Sequence, residues 1–402
     1  MDWKVNLPHQ LGAATALVRQ GQLAQATQAI QDALRGRSST PAAPASTPTP
    51  AAPAQRSRLP SARWQRTDNG VQDAVVREPA ARPAQGQPAT PTAAPQARSP
   101  HAEPPGSFTR VALQHGGAEH HYWLSVPPGA AAGTPMPLLL MLHGCTQNPQ
   151  DFATGTGMNA AAAPANALVL YPAQPASANP NGCWNWFDTA HQERGQGEPA
   201  VLLAMLHDVM ARHPVDARRV YAAGLSAGGA MAALLGREYP DVFAAIGVHS
   251  GLRAGAAHSM MAALSAMKTG AKTGGRRQRA ARPAGSASTA GPAPALIVFH
   301  GDADGTVNAK NGQQLVQAAL DALQGDASAV QQHSRQGQSA AGQPYTQTVY
   351  RAGGAVVAEH WLLHGAGHAW SGGQPGGSHT DARGVDATQE MLRFFLEHPH
   401  AR

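Results

Sequence analysis

Nowhere does this 402-residue chain hold the ~20 consecutive apolar residues that a membrane-spanning helix requires, so it offers no transmembrane candidate. Charge is sparse, with Asp, Glu, Lys and Arg at 13%, and aromatic residues make up only 5%. Cysteine is scarcest of all: Cys145 and Cys183 stand alone. Two thiols exclude a disulfide scaffold and a cysteine-based zinc site. They leave room for one disulfide, which would point to an oxidising compartment. The opening residues, Met1-Asp-Trp-Lys-Val-Asn, lack a basic n-region, and the apolar stretch Leu11 to Val18 ends at Arg19 without a small-residue cleavage site. The expectation is therefore a cytoplasmic protein, or export by a route the sequence does not display.

A net basic balance is missing from most of the chain despite an overall net charge of +6. Residues 1–105 carry eleven Lys/Arg against six Asp/Glu, and residues 268–292 carry six Lys/Arg and no acid. The remainder is mildly acidic, which excludes a nucleic-acid-binding body with a basic face.

What is plentiful is glycine, at 43 residues, and proline, at 33. Fourteen of the prolines fall in residues 37–105, among Ala, Ser, Thr, Gln and Arg without apolar periodicity. This composition cannot bury enough surface to offset its ordering entropy and predicts a disordered linker. Before it, Leu11, Leu17, Val18, Leu23, Ile30 and Leu34 form a loose apolar stripe. Residues 1–36 thus read as a short helical segment suited to surface or partner docking, and with no second copy a solenoid is not supported.

From residue 106 to 402 strands and helices alternate. Phe108 to Leu113 and His120 to Val126 read as an antiparallel pair. Strands follow at 137–142, 167–172, 219–223, 243–248, 295–300, 346–351 and 357–363, with helices at 201–212, 311–323 and a closing helix from Thr380 to Glu397. Continuous apolar strands between helices predict an α/β fold: a mostly parallel central sheet with helices on both faces and ligands at the carboxyl ends of its strands. Lys268 to Pro292, rich in Gly, Ala, Ser and Arg, reads as a flexible basic insertion.

Within this pattern Arg219-Val-Tyr-Ala-Ala runs into Gly224-Leu225-Ser226-Ala227-Gly228, and a small-residue helix follows. A serine two residues from a glycine on either side, at a strand-to-helix turn, is the arrangement that exposes a nucleophile on a strained backbone. A serine hydroxyl needs a base, and the base a carboxylate. In chain order the acid follows the serine and the histidine comes last. Asp304, in His300-Gly-Asp-Ala-Asp-Gly-Thr-Val, is the preferred acid and Asp302 its rival, the latter suited to bonding the loop backbone. Among 19 histidines, His368 in Gly365-Ala-Gly-His-Ala-Trp stands out, because small residues let the loop carry its ring over the sheet's end. His360 and His364 lie in or at the end of a strand, and His379 is the alternative on a loop. The oxyanion donors are expected from the backbone N–H groups of Ala227 and Cys145, the latter in the turn His143-Gly-Cys-Thr-Gln. In Gly182-Cys-Trp-Asn-Trp-Phe, Trp184 and Trp186 are candidates to wall a substrate cleft or to pack the core. No cofactor or metal is called for by this chemistry.

Six segments taken together, His143-Gly-Cys-Thr-Gln, Gly182-Cys-Trp-Asn-Trp-Phe, Val215-Asp-Ala-Arg-Arg-Val-Tyr, Gly224-Leu-Ser-Ala-Gly-Gly-Ala-Met, His300-Gly-Asp-Ala-Asp-Gly-Thr-Val and Gly367-His-Ala-Trp, resemble the polyhydroxybutyrate depolymerase family of esterases. These are α/β-hydrolases related to feruloyl and acetyl-xylan esterases, and the resemblance covers about residues 107–398. It implies an α/β-hydrolase fold and carboxylic-ester hydrolysis through an acyl-enzyme, with Ser226 as nucleophile, Asp304 as orienting acid and His368 as base. The substrates it implies are hydroxyalkanoate oligomers or short-chain esters, or alternatively feruloyl or acetyl-xylan esters. It also implies a Cys145–Cys183 disulfide and, as for many relatives, an extracellular location. The helical segment, the linker and the basic insertion depart from the family, and leave a non-catalytic granule- or polymer-binding role as a reading of another class.

Overall fold

The computed structural model describes residues 105–271, 292–323 and 330–400. The expected helical segment at 1–36, the linker at 37–105 apart from its last residue, and most of the basic insertion, 272–291, lie outside the described residues. Of that insertion's flanks, Lys268 and Thr269 complete a helix, Met260–Thr269.

Among the described residues twelve strands form in chain order. The ten of the main sheet are β1 (Phe108–His115), β2 (Ala118–Ser125), β3 (Met136–Leu142), β4 (Leu168–Pro172), β5 (Val215–Leu225), β6 (Ala245–His249), β7 (Ala295–Gly301), β8 (Gln331–Gln338), β9 (Pro344–Ala352) and β10 (Ala355–Leu363). Across the sheet the order is β1-β2-β4-β3-β5-β6-β7-β10-β9-β8. The six central strands, from β4 to β10, run parallel, and an antiparallel pair lies at each edge. β11 (Trp370–Ser371) and β12 (Thr380–Asp381) pair separately.

Strand β3 shows why the centre is buried on both sides. Its side chains alternate between faces, so Leu138, Leu140 and Leu142 enter one core while Leu139 and Met141 enter the other. The first core is closed by α3 (Gly197–Arg212), whose Leu202, Met205, Leu206 and Val209 recur at helical spacing, and by α4 (Ala227–Glu238). The second is closed by α7 (Ala387–Glu397), through Met391, Phe394 and Phe395. The other α-helices among the described residues are α1 (Pro149–Thr156), α2 (Met158–Ala162), α5 (Met260–Thr269) and α6 (Lys310–Asp321).

Several expected element bounds change, these two among them. The closing helix starts at Ala387, not Thr380. Asp386 caps it by accepting from the Gln389 N–H at 2.9 Å, while Thr380 and Asp381 are spent on β12. The elbow strand is longer than expected, beginning at Val215. Among the described residues no helix is long and apolar enough to cross a membrane.

Candidate active site

Ser226 follows Leu225, the last residue of the central strand β5, and precedes the first residue of α4. Its backbone sits at φ 57° and ψ −118°, a region that costs a non-glycine residue of order 1–3 kcal/mol and that persists only where neighbours impose it. The neighbours that impose it are visible. A Cβ on Gly224 would lie 2.4 Å from the Gly228 carbonyl carbon, and one on Gly228 would lie 2.1 Å from the Leu142 carbonyl oxygen. No side chain fits at either place, so the turn is held by close backbone contact with the end of β3. The Ser226 N–H donates to the His249 carbonyl at 2.9 Å.

Asp304 follows β7, and His368 follows β10, its neighbour in the sheet. The two side chains meet at 2.7 Å, from His368 Nδ1 to Asp304 Oδ2. The carboxylate is completed by its other oxygen, which accepts from the backbone N–H groups of Thr306 at 2.9 Å and Val307 at 2.8 Å. Burial pushes the Asp304 carboxyl up, but the His368 hydrogen bond and charge and the two amides together outweigh it, so the group lies below the usual carboxylate range. Asp304 is thus a buried, ionised acceptor with one direction left for an imidazole.

The rival candidates go elsewhere. Asp302 accepts from His364 Nδ1 at 2.8 Å and from the Gly365 N–H at 2.7 Å. His360 is buried, and burial followed by the neighbouring His300 pushes it down to about 4. His379 Nε2 lies 3.2 Å from the Thr146 hydroxyl.

The turn after β3 is braced from within. The Gly144 N–H donates to Gln147 Oε1 at 2.9 Å, and the Thr146 N–H to the Asn181 carbonyl at 2.7 Å. Between them, the Cys145 N–H has no acceptor among the described residues. Ala227 opens α4, where first-turn amides lack intrahelical partners. Gly144 packs against Ser226, since a Cβ there would lie 3.6 Å from the serine Cβ. Cys145 and Cys183 are joined in a disulfide. Trp184 and Trp186 are 3% and 5% exposed, so both rings are almost wholly in the core. Trp184 Nε1 donates to the His143 carbonyl at 3.1 Å, which ties it beneath the same turn.

Gln147 and His249 take part in the site without standing out in the sequence. Gln147 stands inside a recognised segment and ties the turn together by accepting from Gly144 and donating to Asp151 Oδ2 at 2.9 Å. His249 carries no local signal, because its partners come from three separate elements.

Residues 120–343 match the family described as esterase PHB depolymerase. The chain is 36% identical over 193 residues to poly(3-hydroxyalkanoate) depolymerase C of Paucimonas lemoignei, covering 48% of this chain and 46% of that protein. It is 28% identical over 242 residues to feruloyl esterase B of Neurospora crassa, covering 58% and 77%. Among solved structures, an acetyl xylan esterase from Aspergillus awamori superposes with a TM-score of 0.56 at 21% identity, over 65% of this chain and 94% of that one, a likeness of fold. The chain spans less than half the length of two of these relatives, 46% of the Paucimonas enzyme and 28% of a poly(3-hydroxybutyrate) depolymerase of Ralstonia pickettii.

Proposed function

The chain belongs to the esterase PHB depolymerase family, and from that membership we propose that it is a serine esterase that cleaves carboxylic esters through an acyl-enzyme. The observation that carries this reading is the 2.7 Å contact between Asp304 and His368, made at the ends of strands in the sheet whose centre bears the strained Ser226.

In this reading Ser226 Oγ attacks the ester carbonyl while His368 Nε2 takes its proton. Asp304 holds His368 Nδ1–H, fixing the tautomer and stabilising the imidazolium. The N–H groups of Cys145 and Ala227 receive the carbonyl oxygen as it becomes negative. His368 returns the proton to the departing alcohol, and water then repeats the sequence on the acyl-enzyme. Trp184 serves the site by bracing the oxyanion turn, and Trp186 packs in the core against Phe187.

The substrates we favour are hydroxyalkanoate oligomers or short-chain esters, by analogy with the Paucimonas relative. Feruloyl and acetyl-xylan esters are the second reading, supported by the Neurospora relative. We assign catalysis to residues 106–402 and a separate docking task to residues 1–36. The disulfide favours an oxidising compartment over the cytoplasm.

Turnover of nitrophenyl butyrate, hydroxybutyrate oligomers and methyl ferulate by the full chain tests both levels. Ser226→Ala is expected to abolish all three activities, and full turnover by that variant would overturn the mechanism. The rank order of the three substrates decides between the two substrate readings.

A further inference from the structure

His249 ends β6, in register with Leu225 on the strand that leads to Ser226 and with Phe299 on the strand that leads to Asp304. It is fully buried, an expensive place for an imidazole unless each polar atom is employed. Each one is. The backbone carbonyl accepts the Ser226 N–H at 2.9 Å. Nε2 accepts the Ser371 N–H at 3.0 Å. Nδ1 lies 3.2 Å from Ser250 Oγ. The ring stacks with Phe299, at 5.9 Å and 12°, and with Trp370, at 5.3 Å and 28°.

These contacts determine the ring's protonation. A backbone N–H only donates, so Nε2 must present its lone pair to Ser371. The proton of the neutral ring then sits on Nδ1 and is donated to Ser250. Burial, then the nearby His300 and His368, hold the ring neutral by pushing it down to about 3. Ser371 stands three residues beyond His368, so the bond to Nε2 anchors the segment on which the base is carried.

We propose that His249 is a positioning residue of the esterase site: its carbonyl holds the backbone of the nucleophile, and its imidazole holds the segment that carries the base. One residue thereby keeps Ser226 and His368 in common register. A phenylalanine of similar shape would preserve both stacks but leave the Ser371 N–H without an acceptor in the core. A glutamine would lose the stacks but place an amide oxygen near the position of Nε2 and an NH2 toward Ser250.

The inference rests on the esterase reading, and the test separates the two. Steady-state turnover of nitrophenyl butyrate is compared for the wild type, Ser226→Ala, His249→Phe and His249→Gln, all as full chains. His249→Phe is expected to lower kcat about 10- to 100-fold, the size of a displaced catalytic group, with KM changed by less than about threefold. His249→Gln is expected to recover most of that loss. The opposite ranking, with phenylalanine tolerated and glutamine damaging, would make His249 a packing residue and overturn the proposal. If neither variant folds, imidazole 15N spectra of the wild type decide. The Nδ1–H neutral ring is expected across about pH 5 to 8, and an Nε2–H or charged ring overturns the proposal. Turnover surviving in Ser226→Ala sinks the esterase reading instead, while the tautomer still tests the contacts of His249.

Discussion

Asp302 and His364 repeat, beside the catalytic candidates, the contact that Asp304 makes with His368. The Oδ2–Nδ1 distance is 2.8 Å in the outer pair and 2.7 Å in the inner one. The outer pair is more than a third exposed on both sides, whereas the inner carboxylate is fully covered. The two pairs bind the same two loops together. Asp302 also accepts the Gly365 N–H, and the Asp302 and Ala303 N–H groups donate to the carbonyls of Leu363 and Ala366 at 3.0 and 3.1 Å. A carboxylate that looked like a rival in the sequence is thus a clasp on the loop that carries the base.

The two aspartates are therefore expected to differ sharply on substitution. Asp304→Asn should lower kcat by about 10³–10⁴, because the amide no longer holds the Nδ1–H tautomer or offsets the imidazolium. Asp302→Asn should cost about tenfold or less, since an exposed ion pair contributes little and the backbone bonds of the clasp remain. Parallel kcat measurements check this, and equal losses would contradict the division of roles.

Gly228→Ala is expected to prevent formation of the elbow, because the added methyl would enter the carbonyls of Leu142 and His143 at 2.1 and 2.6 Å. Yield of soluble protein and thermal unfolding measure the outcome. Gly305→Ala provides the comparison: nothing lies within 4 Å of its Cβ position, and its Tm should move by no more than a surface substitution moves it, about 0.5 kcal/mol in stability.

The disulfide joins residues 38 apart, and a loop of that length confers about 3–4 kcal/mol by constraining the unfolded chain. Cys183→Ser should lower Tm accordingly. It should also reduce kcat, because Cys145 stands in the oxyanion turn. Wild-type protein treated with dithiothreitol should reproduce both effects, and a loss of stability without loss of kcat would confine the bond to a scaffold role.

Acid should destabilise the fold from an unusually high pH downward. Burial pushes His249 down to about 3 and His360 to about 4, and it also lowers His143 and His300. The unfolded chain takes up these protons near the ordinary 6.5, so between 6.5 and the folded values it binds more protons than the native state. Stability therefore falls as pH drops through that window. Asp304 and Asp151, lowered in the fold, add a loss of the same sign at lower pH. Thermal unfolding from pH 7 to 4 should show the decline, with a shallower slope for His360→Gln.

Legibility in the sequence followed the number of ways a structural need can be met. The elbow was readable because only glycine satisfies the contacts at 224 and 228, and β3 because a strand covered on both faces has to be apolar throughout. Strand β8, Gln-Gln-His-Ser-Arg-Gln-Gly-Gln, went unseen. It lies at the sheet's edge with nearly every residue exposed, so no apolar alternation marks it. The sequence places the closing helix early because Thr380 to Val385 contains no proline, although Asp386 holds the better start signal as an N-cap. His249 was invisible for a different reason. Its worth comes from Ser226, Phe299, Trp370 and Ser371, which come together only in the folded sheet.

The strand order also bears on how the molecule comes into being. Ser226, Asp304 and His368 sit just after β5, β7 and β10, and β7 must pair with a strand that begins 54 residues beyond its own end. Pairings so distant in sequence require closing large loops before they return any contact energy, and such steps come late and slowly. The nucleophile's half waits on a longer closure still, since β5 begins 73 residues beyond the end of β3, with which it pairs. Nucleophile and acid–base pair alike thus depend on distant pairings, and a newly made molecule becomes competent only when β10, its last inner strand, is laid down beside β7.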